Sequence, residues 1–251
     1  MLTVVKNSNE IAGMRESGRM LATVLQVLKK QAAVGMTTKD LANIAAGELK
    51  SLGGEPAFLG YQGFPDVLCT SVNQEVVHGI PSVNKVLQPG DIVSLDFGVI
   101  YKGMITDGAI SMIVGKPKSR QHIDLVKYTE QSLLEGIATV KDGVRTGDIG
   151  AAIEKELKKH NYGIVRELVG HGVGHELHED PNIPNYGRAN TGDRLKKHMT
   201  IAIEPMSTLG GDRVYVANDG WTVQTWDDSW AAHFEHTVLI NDNDAEILTV
   251  V

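Results

Sequence analysis

The most constraining feature of this chain is that it contains nearly the same passage twice. GMTTKDLANIAAGELK aligns with GVRTGDIGAAIEKELK, placing Gly35 on Gly143, Thr38 on Thr146, Asp40 on Asp148, and Glu48-Leu49-Lys50 on Glu156-Leu157-Lys158. Each copy follows a longer amphipathic stretch. Ile11, Met14, Leu21, Leu25 and Leu28 mark one helical face, and Ile123, Val126, Leu133, Ile137 and Val140 repeat that spacing 112 residues later. The aligned passages themselves are 108 apart, so four residues are lost in the connector. Asn7 and Glu10 read as a capping box for the first helix. A repeat this long does not require a solenoid. Two helix–helix–strands units fit a pseudo-twofold α+β domain, with an antiparallel sheet covered by helices. One domain over 1–251 is expected, with halves at about 1–115 and 120–251 and an active site at their junction.

Composition narrows the classes. A chain of 251 residues is long enough to bury a sizeable core. Its 24 lysines and arginines face 31 acidic residues, a net charge of −7 that argues against general nucleic-acid binding. Arg194, Lys196, Lys197 and His198 form one short basic run, read as a solvated face, with a ribosome contact as its functional reading. The single Cys69 excludes an internal disulfide and a cysteine-based zinc finger. Lys6 and Glu10 break the apolar run of MLTVVKNSNE too early for a signal peptide. No apolar stretch approaches a membrane span. A soluble, reduced, cytoplasmic protein with no DNA or membrane partner is expected.

Five metal-preferring side chains stand in or beside strand-like runs: Asp96, Asp107, His171, Glu204 and Glu235. Four carboxylates and one imidazole suit one or two divalent cations and are too many for a closed tetrahedral zinc site. In SLDFGVIYKGMITDGAIS the midpoint between Asp96 and Asp107 falls between Tyr101 and Lys102. A hairpin folded there would set the two carboxylates directly opposite, with Cβ atoms about 4.5–5.5 Å apart. Like charges so placed repel unless a cation lies between them. Glu204 ends the apolar run of TIAIEPM, where Pro205 stops a ladder, and Glu235 lies inside WAAHFEHTVLI. Carboxylates in buried strands call for a partner.

Histidines supply the remaining candidates. His171, His175 and His178 in ELVGHGVGHELHEDP have helical spacing, yet Gly170, Gly172 and Gly174 each penalise a helix by about 1 kcal/mol. The zincin pattern HExxH fails as well, because His178 comes one residue too soon. A glycine-spaced turn aiming imidazoles at a site fits better. His175 takes a structural reading. His78, before Gly79 and Pro81, is a further candidate on a turn.

These motifs together resemble the type I methionine aminopeptidases, in the short form without an N-terminal extension. GFPDVLCTSVNQEVVHGIP, DIVSLDFGVIYKGMITDGA, VGHGVGHELHEDP, IAIEPM and DGWTVQTWDDSWAAHFEHTVLI appear in the family's order and at close to its spacings. The resemblance implies a pita-bread fold and a dinuclear centre of cobalt, manganese, iron or zinc. Asp96, Asp107, His171, Glu204 and Glu235 would be its ligands, with Asp107 and Glu235 bridging. It implies His78 and His178 beside the scissile bond, Glu204 as a proton carrier, and Cys69 and Trp221 near the substrate pocket. The implied substrates are nascent polypeptides with a small second residue, and the implied state is a monomer. Leu177 departs from the phenylalanine of the common pattern and is expected to loosen the methionine pocket. Two alternatives stand beside this reading. A pita-bread Xaa-Pro peptidase would carry a domain ahead of a helix that here begins near Ser8. A non-catalytic relative would have lost ligands. The type II subclass has a helical insertion between its last two ligands, whereas 31 positions of loop and strand character separate Glu204 from Glu235 here.

Overall fold

Asn7 and Glu10 do close a capping box. Asn7 Oδ1 accepts the Glu10 N–H, and the Glu10 carboxylate accepts the Asn7 N–H at 2.7 Å. That box starts α1 (Ser8–Gln31) in the computed structural model, which describes residues 5–251. The first four residues of MLTVVKNSNE, and that part of the leader-peptide expectation, lie outside the described residues. The five expected apolar positions of α1, Ile11 to Leu28, are all buried. After it come α2 (Thr38–Leu52), β1 (Glu55–Pro56), β2 (Cys69–Val72), β3 (Glu75–Val77), β4 (Ile92–Tyr101) and β5 (Met104–Ile113).

A second series follows: α3 (Arg120–Ile137), α4 (Thr146–Lys158), β6 (Gly163–Ile164), β7 (Gly170–Gly172), β8 (Glu179–Ile183) and β9 (Thr200–Ile203). The chain ends with β10 (Met206–Thr208), β11 (Val214–Val216), β12 (Val223–Thr225), β13 (Ala231–His233), β14 (Glu235–Ile240) and β15 (Ala245–Ile247). Only strands and loops connect Glu204 to Glu235. The third helix is shorter than its apolar spacing predicts. It stops at Ile137, Val140 packs into the core from the following turn, and Ile123 is exposed. The turn wins because Val140 N–H bonds to the Ile137 carbonyl, an i to i+3 closure that ends the α ladder.

The repeat is visible in the backbone. The Gly35 N–H bonds to Leu87 O at 2.9 Å, and 108 residues on the Gly143 N–H bonds to Leu195 O at 3.0 Å. The return bonds match too: Leu87 N–H to Met36 O and Leu195 N–H to Val144 O, both 2.8 Å. Asp40 accepts the Thr37 N–H and Asp148 the Arg145 N–H, capping α2 and α4 alike. Asp96 on β4 and Glu204 just past β9 are also 108 apart, so they hold equivalent places.

A nine-stranded sheet runs β1-β4-β5-β14-β9-β7-β8, with β2 also on β4 and β15 also on β14, and its recorded pairings are antiparallel. Leu21, Leu28 and Leu41 from α1 and α2 pack on Leu95 and Phe97 of β4. Ile149 and Ile153 of α4 and Leu133 of α3 pack on Ile201, Ile203 and Val238. Helices therefore cover both ends of the sheet, and the β5–β14 seam lies between them.

The β4–β5 hairpin differs in register from the sequence expectation. Asp96 pairs with Ala109 and Asp107 with Gly98, so the two aspartates are diagonal rather than directly opposed. The turn is centred one residue later, on Lys102 and Gly103, both at positive φ (50° and 76°). A two-residue hairpin turn of the primed type needs positive φ twice, and glycine at 103 supplies it without strain. The register slips by two, and a shift of two keeps both carboxylates on one face.

One buried ion pair links the N-terminal segment to the loop carrying Leu177 and His178. Lys6, 1% exposed, places Nζ 2.6 Å from Glu179 Oε2, while Glu179 Oε1 accepts the His175 and Glu176 N–H groups. Lys6→Ala would strand a buried carboxylate, and removing one partner of such a pair typically costs about 3–5 kcal/mol. A clear fall in Tm by calorimetry is expected. An unchanged Tm would show that the pair contributes nothing.

Candidate metal centre

Antiparallel pairing lays the candidate residues in rows across the sheet. Cys69 of β2 lies beside Asp96 of β4, Asp96 beside Ala109 of β5, and Ala109 beside Glu235 of β14. The small Ala109 leaves room between two carboxylates. One step along, Gly98 lies beside Asp107, and Ala202 separates Thr237 from His171. Thr237 fixes the Asp107 backbone: its Oγ1 accepts the Asp107 N–H at 2.9 Å and donates to the Asp107 carbonyl at 2.8 Å. Glu204 follows β9, where Asn185 donates to its carbonyl.

The side chains converge. Ligand atoms of Asp107, His171 and Glu235 all lie within 4.8 Å of one another. His171 Nε2 is 3.4 Å from Glu204 Oε1. Asp96 Oδ1 and Glu235 Oε1 are buried without any hydrogen-bond partner. Burial pushes all four carboxyls up: Asp107 to about 7, against the lowering hydrogen bonds from Gly108 and Asp96, and Asp96, Glu204 and Glu235 well above the ordinary range, where neighbouring charges add to the effect. Burial likewise holds His171 down at about 3, so its ring is neutral at physiological pH. His171 Nδ1 sits 2.9 Å from the Gly172 carbonyl, an acceptor that puts the proton on Nδ1 and leaves the Nε2 lone pair facing the carboxylates. Orphaned buried carboxylate oxygens, a presented imidazole lone pair and no lysine or arginine among the described lining residues fit a divalent cation.

One cavity of about 160 Å³ is bordered by all nine sequence candidates: Asp96, Asp107, His171, Glu204, Glu235, His78, His178, Cys69 and Trp221. His175 is not among its lining residues; its Nε2 lies 2.9 Å from Glu10 Oε1. The cavity's other end is apolar, with Phe58, Phe64, Cys69 and Leu177 buried in one cluster and Trp221 edge-on to Phe64 at 5.2 Å. Asp219 Oδ1 accepts the Trp221 and Thr222 N–H groups and fixes that indole's loop.

His78 reaches the cavity from a strained backbone. Its φ is +59°, uncommon for a residue with a side chain. The following Gly79 is required by close approach, since a Cβ there would lie 2.2 Å from the Thr70 carbonyl oxygen. Burial and the neighbouring His178 hold His78 down at about 4. His178 is exposed at the mouth, edge-on to His171 at 4.2 Å between ring centroids, with Tyr61 Oη 2.7 Å from its Nδ1.

Two further residues stand at the site without a motif to mark them. Tyr61 sits in an irregular loop with no periodic signal. His233 is visible only as the first of two histidines in WAAHFEHTVLI; its Nε2 lies 3.8 Å from Glu204 Oε2 and 3.9 Å from Glu235 Oε2.

The chain matches the description "Metallopeptidase family M24" over residues 12–242. It is 43% identical over 249 residues to a methionine aminopeptidase of Clostridium acetobutylicum, covering 99% of each chain. The solved methionine aminopeptidase of Thermotoga maritima superposes with a TM-score of 0.98 at 44% identity, covering 100% of both chains. A prolidase from Pyrococcus furiosus matches at 22% identity and a TM-score of 0.80, over 99% of this chain and 66% of that one. At that identity it shows the shared pita-bread fold alone.

Proposed function

Because the chain belongs to metallopeptidase family M24 and is a metal-dependent peptidase, we propose that it removes an N-terminal methionine when the second residue is small. The observation that carries this reading is a single cavity with a carboxylate–imidazole end and an apolar end. The first end suits cleavage of a peptide bond. The second receives one apolar side chain, and relatives similar along the whole chain are methionine aminopeptidases by name.

Asp96, Asp107, His171, Glu204 and Glu235 would hold two divalent cations, whether cobalt, manganese, iron or zinc. Bound there, such cations polarise a carbonyl and lower the pKa of a bound water. The residues supply the rest. Phe58, Phe64, Leu177 and Trp221 receive the methionine side chain, an unbranched and polarizable group suited to an apolar and aromatic wall. Cys69 lines the same wall. The Tyr61 hydroxyl lies 2.7 Å from His178 Nδ1; donating there, it would keep the proton of His178 on Nε2, where it is offered to the oxyanion that forms from the scissile carbonyl. His78, neutral and held by its turn, contacts the scissile amide. Glu204 accepts a proton from the attacking water and passes it to the leaving amine.

A scissile bond held between fixed groups leaves little room for a bulky second side chain, and a clash there spoils attack geometry. We further propose a single catalytic domain over 1–251, with halves at about 1–115 and 120–251. We propose in addition that it acts as a monomer. Nascent chains in the cytoplasm are the proposed substrates. Among the described residues no helix is long and apolar enough to cross a membrane. The basic run offers the ribosome surface Arg194, Lys196 and His198, whereas Lys197 already pairs with Asp242.

Release of the free N-terminal amino acid from Met-Ala, Met-Lys, Leu-Ala and Ala-Pro peptides, before and after chelation, tests the reading. Rapid, chelator-sensitive cleavage of Met-Ala is expected, with Met-Lys resistant and Leu-Ala slow. The slow Leu-Ala turnover follows from Leu177 in place of a phenylalanine. Efficient Met-Lys cleavage, a preference for Leu-Ala or Ala-Pro, or full activity in metal-free protein would overturn it.

A further inference from the structure

His233 is a buried side chain whose hydrogen bonding is left incomplete beside the metal cluster. It ends β13 at 1% exposure, and neither Nδ1 nor Nε2 has a hydrogen-bond partner. An imidazole carries at least one N–H, and burying a donor unpaired destabilises the fold. Such a group in a native structure calls for a reason.

The backbone of His233 is held independently of its ring. Its N–H donates to Ser111 Oγ, and Ser111 Oγ lies 2.8 Å from its carbonyl. Ser111 is itself paired with Ser94 at 2.7 Å, so the clamp reaches β4 and β5. The ring is thereby aimed at two carboxylates, Glu204 Oε2 at 3.8 Å and Glu235 Oε2 at 3.9 Å. Glu204 presents its other oxygen to His171 and so lies between two imidazoles. The last torsion of a glutamate is soft. A modest turn of either carboxylate brings its oxygen within hydrogen-bond distance of His233 Nε2.

We propose that His233 is a positioning residue of the metal centre, its Nε2–H orienting the Glu204 and Glu235 carboxylates for the cations. The proposal rests on the metal-centre reading given above. A donor that fixes a ligand's orientation also removes conformations in which that ligand turns away, so its loss weakens metal binding without removing any ligand.

The test uses chelated full-length protein titrated with cobalt(II), read by calorimetry and by the visible spectrum of the bound ion. His233→Ala and His233→Met remove the donor, the second keeping volume in the buried site so that folding is preserved. His233→Gln returns an N–H at similar reach. A weakening of about 10–100-fold is expected in the first two, with a changed cobalt spectrum. His233→Gln is expected to bind close to wild type with a spectrum like wild type. Tm of each chelated variant separates these effects from misfolding. Wild-type affinity and spectrum in His233→Met would overturn the proposal. So would a His233→Gln as weak as His233→Met, which would mean that the imidazole itself and not its N–H is needed. Wild-type protein that takes up no cobalt at all would instead overturn the metal-centre reading.

Discussion

Asp107→Asn is expected to abolish metal uptake and to lower kcat/KM on the order of 10³-fold or more, about 4 kcal/mol of transition-state stabilisation. The substitution is nearly isosteric, so what it removes is charge. Asp107 sits where the neighbouring groups meet. Its charge helps to push up Asp96, Glu204 and Glu235, and its ligand atom converges with those of His171 and Glu235. Its own Oδ1 accepts the Gly108 N–H at 2.9 Å, which holds the side chain in place whether or not it is charged. The variant should therefore fold.

Stability adds a second readout for the same substitution. Burial raises the Asp107 carboxyl from an ordinary value near 4 to about 7. A folded-state value above the unfolded one means that stability is fully present below about pH 4. It is lost as pH rises to about 7. Chelated wild-type protein should accordingly show a falling Tm across that window, and chelated Asp107→Asn a shallower fall. Added divalent metal should raise the Tm of wild type by mass action and leave the variant unmoved. Metal content by atomic absorption and Tm at several pH values check this. Stoichiometric metal in Asp107→Asn would refute its place in the centre.

The five proposed ligands were legible in sequence because each sits where local rules point: apolar runs that end in a carboxylate, and a glycine-spaced histidine loop. The capping box at Asn7 and Glu10 and the buried face of α1 were legible for the same reason, being set by neighbours three or four residues away. The hairpin register differs from the expectation by two residues. The hairpin centre depends on which residues accept positive φ, and Lys102, rarely a choice for that conformation, is one of them. The face survived the error because strand parity tolerates a slip of two. The end of α3 was misjudged because Val140 is apolar in helical phase yet packs from a turn. Tyr61 gives no signal, and His233 only that of a histidine near Glu235. Their interest arises from partners 117 residues away for Tyr61, and from the two carboxylates that β13 brings beside His233. No local pattern encodes such meetings. The positive φ of His78 beside the close approach of Gly79 to Thr70 has no local signal either.

His178→Ala is expected to keep its metal yet lower kcat by about 10²–10³-fold, the usual loss when one oxyanion donor is removed. The imidazole stands at the cavity mouth and touches the cluster only through the edge of His171, so no cation ligand is lost with it. Tyr61→Phe tests how that donor is prepared. The Tyr61 hydroxyl lies 2.7 Å from Nδ1, and on the proposed reading it donates there and confines the ring proton to Nε2. Without the hydroxyl, both neutral tautomers are populated, and only one of them can donate to the oxyanion. With the two tautomers comparably populated, kcat falls by about twofold, and KM stays nearly constant because the ground state is untouched. The ring ¹⁵N shifts of His178 should move toward a tautomer mixture in Tyr61→Phe and stay put in a control such as Tyr128→Phe. An emptied metal centre in His178→Ala, alongside a filled one in Asp107→Asn, would reverse the two roles. Unaltered ¹⁵N shifts and full turnover in Tyr61→Phe would leave the hydroxyl as a packing contact only.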